Sequence, residues 1–169
     1  MRVALTGTPG TGKTTAADLA DAGLDTVHLN EVIREEGFDT GTDEERGSLL
    51  ADTEALADWL DGRDDALVES HLAHLFDADR VVVLRCHPDE LVERLTARGD
   101  SEAKARENAE AEALDVVLSE AVAEHGAGNV YEIDTTGRDP EAVAADIEAV
   151  VAGEREPSAG TVDFLGWLG

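Results

Sequence analysis

Short apolar runs separated by longer stretches of mixed apolar and acidic residues set the pattern of this chain. Val3, Ala4 and Leu5 form the first run, and "TVHL" (Thr26 to Leu29) the second. "DALVES" (Asp65 to Ser70), "RVVVLR" (Arg80 to Arg85) and "NVYEID" (Asn129 to Asp134) follow, the fourth being the strongest. Runs of this length and composition read as strands. Between them the apolar positions return at helical spacing, which predicts helices over about 13–22, 43–61, 88–98, 101–125 and 139–152. Pro88 and Pro140 stand at helix starts with acids in the first turn, a good opening signal. The region after the second strand is polar and acidic and carries no predicted element of its own. Strands alternating with helices predict an α/β fold, a five-stranded parallel sheet with helices on both faces.

The segment after the first strand, "GTPGTGKT" (Gly7 to Thr14), fits the pattern G-x-x-x-x-G-K-[ST] and sits between a strand and a helix. Glycines there let successive N–H groups point into one concavity, and a helix beginning near Lys13 adds its positive end. Such a nest holds phosphate. Lys13 reaches the outer phosphates as a point charge, and the Thr14 hydroxyl suits Mg²⁺, which takes oxygen ligands.

Composition narrows the surroundings. At 169 residues the chain has the length of one ordinary domain. Its 39 Asp and Glu against 13 Lys and Arg, only two of them Lys, give a net charge of −26. The acids are interleaved with Ala, Leu and Val, so a heavily charged solvated surface is expected rather than disorder. The composition resembles that of proteins from salt-rich cell interiors, and in low salt the fold is expected to loosen by self-repulsion. No Lys/Arg-rich stretch is present to neutralise a nucleic-acid backbone. The single cysteine, Cys86, excludes an internal disulfide. Without an apolar run of membrane-spanning length or a signal-peptide pattern, a cytoplasmic protein is expected.

In so acidic a chain each cation is informative. Lys13, Arg34 and Arg138 all closely follow the ends of predicted strands, where parallel α/β sheets place ligands. Arg94 and Arg98, four apart, share a helix face, Gly99 ends that helix, and Arg106 lies beyond it. Arg34, beside Glu31, Glu35 and Glu36, and Arg94 and Arg98, near Glu90, Glu93 and Asp100, also have acids that offer plain surface ion pairs. Glu69, at the end of the third strand, suits an outer-shell hold on Mg²⁺, and His71 suits a water or an acceptor phosphate. His28, His74, His87 and His125 are read as structural or exposed, and no cluster has zinc-site spacing. After Gly153 the chain becomes linker-like at Pro157, Ser158 and Gly160 and then apolar at Phe164, Leu165, Trp167 and Leu168. That tail either docks on its own domain or is captured by another protein.

The segments "RVALTGTPGTGKTT", "LNEVIREEG", "LVESH", "VVVLRCHPDELVERLTARGDSEAKARENAEAE" and "IDTTGR" together resemble the adenylate kinase isoenzyme six family. These are small kinase-like ATPases that also serve late maturation of the small ribosomal subunit. The resemblance covers about 1–152 and leaves out the tail at 153–169. It implies an adenylate-kinase-like fold, a P-loop core with an NMP-binding segment at about 28–51 and a short lid at about 97–107. ATP would be held by Gly10, Gly12, Lys13, Thr14, Thr15 and Arg98, with Thr136, Gly137 and Arg138 beside the adenine. The nucleoside monophosphate would meet Asn30, Arg34 and His71, and Mg²⁺ would accompany ATP at Thr14 and Glu69. Lys13, Arg98, His71 and Glu69 would serve catalysis. The third strand ends here in Glu69 where the family usually has Asp, and Asp100 stands where the lid tends to carry an aromatic residue.

The implied activity is transfer of the ATP γ-phosphate to AMP or another NMP. A second reading is an assembly ATPase working on pre-30S particles, with small-subunit ribosomal protein eleven as partner. A third, a small-molecule kinase of the shikimate or gluconate kind, shares loop and fold.

Overall fold

In the computed structural model, which describes residues 1–43 and 48–169, alternate side chains of each central strand enter opposite cores. Ala4 of β1 (Arg2–Gly7), Val68 of β5 (Ala66–Glu69) and Val81 and Val83 of β6 (Arg80–Arg85) point to one face. There they meet Leu29 and Ile33 of α2 (Leu29–Glu35), Leu56 and Leu60 of α3 (Thr53–Leu60), and Leu118 and Ala121 of α6 (Val116–His125). Val3, Leu5, Leu67, Val82 and Leu84 point the other way, to Ala16 and Ala17 of α1 (Lys13–Leu19) and Val143, Ile147 and Val150 of α7 (Pro140–Val151). Strands covered on both sides read as continuous apolar runs, which is why the sequence marks them so clearly.

With β2 (Asp25–His28) and β7 (Val130–Asp134), the parallel sheet has the order β2-β5-β1-β6-β7. Val3, Ala4 and Leu5 lie opposite Leu67, Val68 and Glu69 on one side and Arg80, Val81 and Val82 on the other. β1 is therefore central, and its exit into the glycine-rich loop lies at the middle of the sheet's carboxyl edge.

Three stretches differ from expectation. Residues 29–35 form α2, which begins with buried Leu29 and keeps Val32 and Ile33 inside; the acids at its surface conceal that stripe in the sequence. The predicted helix at 43–61 is a helix only over α3. Before it, β3 (Asp39–Asp43) and β4 (Ser48–Ala51) pair antiparallel, and positions 44–47 of that span lie outside the described residues. Asp52 caps α3 by accepting from the Ala55 N–H at 3.1 Å. The predicted helix at 101–125 is two: α5 (Glu102–Ala113) and α6, separated at Asp115, whose φ of 57° is left-handed. α4 (Pro88–Ala97) starts at Pro88 as expected and packs on α5 through Leu91, Leu95 and Ala105.

The tail rests on its own domain. The Ser158 N–H donates to the Val130 carbonyl at 3.0 Å, Phe164 meets the His87 ring edge-on at 5.4 Å, and the Trp167 Nε1–H donates to Asp89 at 2.8 Å. Among the described residues, no helix is long and apolar enough to cross a membrane.

Candidate active site

The loop from Gly7 to Thr14 leaves β1 and enters α1 through backbone conformations open mainly to glycine. Gly10 has φ 91°, and a Cβ there would lie 2.7 Å from a Leu95 methyl. Gly12, the residue before α1, has φ 93°. The loop closes on the Thr8 carbonyl, which accepts from Thr11 Oγ1 at 2.8 Å and from Lys13 Nζ at 3.1 Å. Lys13 is only 8% exposed. Burial lowers its ammonium to about 8; Glu69 opposes the shift, Arg98 adds to it, and Glu112 opposes it weakly.

At the end of β5, Glu69 is buried, and its Oε1 accepts from the Thr14 hydroxyl at 2.9 Å. The same oxygen meets His28 Nδ1 at 2.9 Å, while His28 Nε2 reaches Asp18 at 2.7 Å. Burial would lower the His28 pKa, but hydrogen bonds to the Glu69 and Asp18 carboxylates outweigh it and raise the value. An imidazole between two carboxylates donates from both nitrogens. His28, expected to be structural or exposed, is structural in a specific way: it holds Glu69. Ser70, next along, donates to Asn30 Oδ1 at 2.7 Å, which ties the start of α2 to this strand end.

Two concavities flank the loop. The larger, about 300 Å³, is lined by Gly10, Gly12, Thr15, Arg94, Thr135 and Arg138. Arg94 spans it: its guanidinium donates to Thr135 O at 3.1 Å and Gly10 O at 3.4 Å, and pairs with Glu90 at 2.5 Å. Thus Arg94 makes the surface ion pair the sequence allowed and also joins the phosphate loop to the loop after β7. Glu90 accepts from the Gly137 N–H at 3.1 Å, so it also fixes that second loop. Thr136 bonds Asp134 and accepts from the His87 N–H at 2.8 Å. Arg138 lines the cleft but is paired with Asp146 at 2.8 Å. The smaller concavity, about 110 Å³, lies on the other side between Thr8, Pro9, His71, Leu72, Asn108 and Glu120.

Lys13, Thr14 and Glu69 are thus brought together, with Thr15 and Arg138 on one flank and His71 on the other. Arg98 ends α4 with its side chain 53% exposed and paired with Asp100 at 2.9 Å. Arg34, in the last turn of α2, and Arg106, on α5, are exposed. Sequence reasoning missed Thr135 and Glu112 and read Glu90 only as a surface partner for Arg94; Thr135 had a signal, its place directly before Thr136.

The AAA domain family matches residues 3–115. A protein of Natronomonas pharaonis is 70% identical over 97% of this chain and 98% of its own length. One of Halobacterium salinarum is 60% identical over 99% and 100%, and one of Methanothermobacter thermautotrophicus 48% identical over 98% of each. All three carry the name "Putative adenylate kinase". The chain belongs to this family. Among solved structures, a shikimate kinase from Bacteroides thetaiotaomicron superposes with a TM-score of 0.59 over 90% of this chain and 98% of that one. A sugar kinase from Janibacter does so with a TM-score of 0.55, covering 90% and 94%. At 17% and 20% identity these two establish the fold that the family shares with P-loop kinases, and nothing finer.

Proposed function

We propose that this protein is a nucleoside monophosphate kinase that transfers the γ-phosphate of ATP to AMP, with tolerance for other NMPs. The observation that carries the reading is the buried ammonium of Lys13. It is folded onto a loop carbonyl, its pKa is lowered to about 8 by desolvation, and it stands in the loop that leaves the central strand. A desolvated cation of that kind gains most from an anion with several charged oxygens. The family name of its relatives supplies the nucleotide.

ATP lies in the larger cleft, with its phosphates on Gly10, Gly12, Lys13, Thr14 and Thr15, and its base toward Thr136, Gly137 and Arg138. The acceptor takes the other side, where His71 lines the concavity, and the family resemblance assigns Asn30 and Arg34 of α2 to it. The oxygens of Thr14 and Glu69, already 2.9 Å apart, are the hard donors Mg²⁺ prefers, and these two residues would hold it. Bound there, the ion offsets phosphate charge. In-line transfer needs little covalent help from protein, so Lys13 and Arg98 act by stabilising charge spread over the transferring oxygens. The segment at about 97–107 closes over the site and excludes water.

The reading extends to an ATPase activity and to late maturation of the small ribosomal subunit in the cytoplasm. The family resemblance supports this, and the surface charge of −26 suits a basic ribosomal protein. The short lid implied by the resemblance leaves water access open, and hence hydrolysis beside transfer.

ADP formation by the purified protein at high KCl with MgATP tests both. A large rise with AMP, abolished in Lys13→Ala, is the expected result. Slow ADP production indifferent to AMP replaces the kinase with the assembly ATPase. A rise with shikimate or gluconate but not with AMP replaces it with a small-molecule kinase.

A further inference from the structure

Under the phosphate loop lies a buried carboxylate to which the reaction assigns no part. Glu112, near the end of α5, is 2% exposed. Its Oε1 accepts from the Thr8 hydroxyl at 3.1 Å; its Oε2 accepts from the Cys86 N–H at 2.7 Å and meets Arg85 Nε at 3.2 Å. Arg85, fully buried, also donates to the Glu112 carbonyl at 3.0 Å, to Asp115 at 2.6 Å and to Glu132 at 2.7 Å. Thr8 thus faces two ways. Its side chain is tied to Glu112, and its carbonyl is the point on which Thr11 and Lys13 close the loop.

A negative charge beneath a phosphate site opposes the ligand unless a cation neutralises it. Arg85 does so here, which leaves the carboxylate free to act as a fixed acceptor. Burial pushes the Glu112 carboxyl upward, only partly offset by Arg85 and by the hydrogen bonds from Cys86 and Thr8. A strained electrostatic position of this kind is retained at a cost in stability, and its geometric product is a loop whose second residue cannot swing away.

We propose that Glu112 is a positioning residue for nucleotide binding: through Thr8 it holds the phosphate loop and Lys13 in the receptive arrangement before the phosphates arrive. The inference rests on reading the loop as a nucleotide site, and it does not depend on which acceptor receives the phosphate. Preorganisation of this sort appears in affinity, because the cost of ordering the loop is removed from the binding step.

The test measures the Kd for MgADP by calorimetry at high KCl, the KM for ATP, kcat and the melting temperature. The proteins are the wild type, Thr8→Val, Thr8→Ser, Glu112→Ala and the double variant Thr8→Val/Glu112→Ala. Thr8→Val and Glu112→Ala are each expected to raise Kd and the KM for ATP about tenfold. Thr8→Ser, which keeps the hydroxyl, restores wild-type affinity, and the double variant binds no worse than Glu112→Ala alone. Thr8→Val leaves the pairing of Arg85 and Glu112 intact, so it decides the matter even where Glu112→Ala fails to fold. Wild-type affinity in Thr8→Val, additive losses in the double variant, or a lowered melting temperature with unchanged Kd would overturn the proposal. A wild-type protein that binds MgADP but transfers phosphate to no NMP would refute the functional reading and leave Glu112 in its role.

Discussion

Two buried cations, Lys13 within the phosphate loop and Arg85 beneath it, are opposites. Arg85 has no exposed surface and touches Glu112, Asp115 and Glu132; burial works against its charge, but these acids outweigh it and raise its pKa. Lys13 is almost as buried, yet its ammonium donates to a carbonyl, and its pKa falls to about 8. A cation whose carboxylates are already built in serves the fold. One held out of water with only a neutral acceptor stands ready for an anion that the fold does not contain. In a chain of 39 acidic residues a counter-ion for Lys13 would have been easy to place, so the contrast supports the proposed phosphate site independently of the glycine pattern.

Substitutions break the comparison in opposite directions. The largest effect is expected from Arg85→Met, which leaves three carboxylates without their cation and should cost about 3–5 kcal/mol of stability, read by denaturant unfolding at high KCl. Lys13→Ala should lower kcat/KM by about 10²–10³-fold in the coupled ADP assay while leaving the melting temperature equal to or above that of the wild type. A Lys13→Ala protein that melts markedly earlier would dissolve the distinction between the two cations.

The pH dependence is smaller and has a definite sign. Below about 8 Lys13 is charged and ready. Above it the free protein loses that proton, nucleotide binding takes one up, and affinity falls by up to about tenfold per pH unit. Calorimetry in buffers of different ionisation enthalpy should show the uptake. In the absence of nucleotide, the unfolded chain binds this proton more tightly than the folded one. The contribution of Lys13 to stability therefore rises as pH increases from about 8 toward the ordinary lysine value. The smallest effect belongs to Trp167→Ala, which removes the bond to Asp89 and the cover over α5, a loss of about 0.5–1.5 kcal/mol in thermal unfolding.

The same contrast explains what could be read from sequence. The central strands β1, β5 and β6 were legible because burial on both faces demands nearly unbroken apolar runs, the edge strands β2 and β7 from shorter runs, and the phosphate loop because its glycines answer a local backbone need. Lys13, Thr14 and Glu69 followed from those strand ends. The break at Asp115 was hidden, since "AEAEALDVVL" keeps helical spacing without Gly or Pro. The left-handed residue is held by Arg85, thirty positions earlier, a contact no local pattern records. Glu112 was hidden for the same reason: in "ENAEAEAL" it looks like Glu107 or Glu110, and only the packing of α5 against Cys86 and Thr8 sets it apart. His28 escaped because its meaning depends on Asp18 and Glu69, which flank it in space alone.

The tail has a consequence for how copies of this protein live together at high concentration. β7 is an outer strand of the sheet, and Ser158 occupies its free side, accepting the Glu132 N–H at 2.9 Å and donating to the Val130 carbonyl. An uncovered strand of that kind is a template on which a neighbour can add its own. Most proteins as acidic as this one are kept apart by repulsion, but at about 1 M salt the Debye length shrinks to about 3 Å and repulsion acts only at contact. Where charge no longer separates molecules, this short covering segment shields the β7 edge from such pairing.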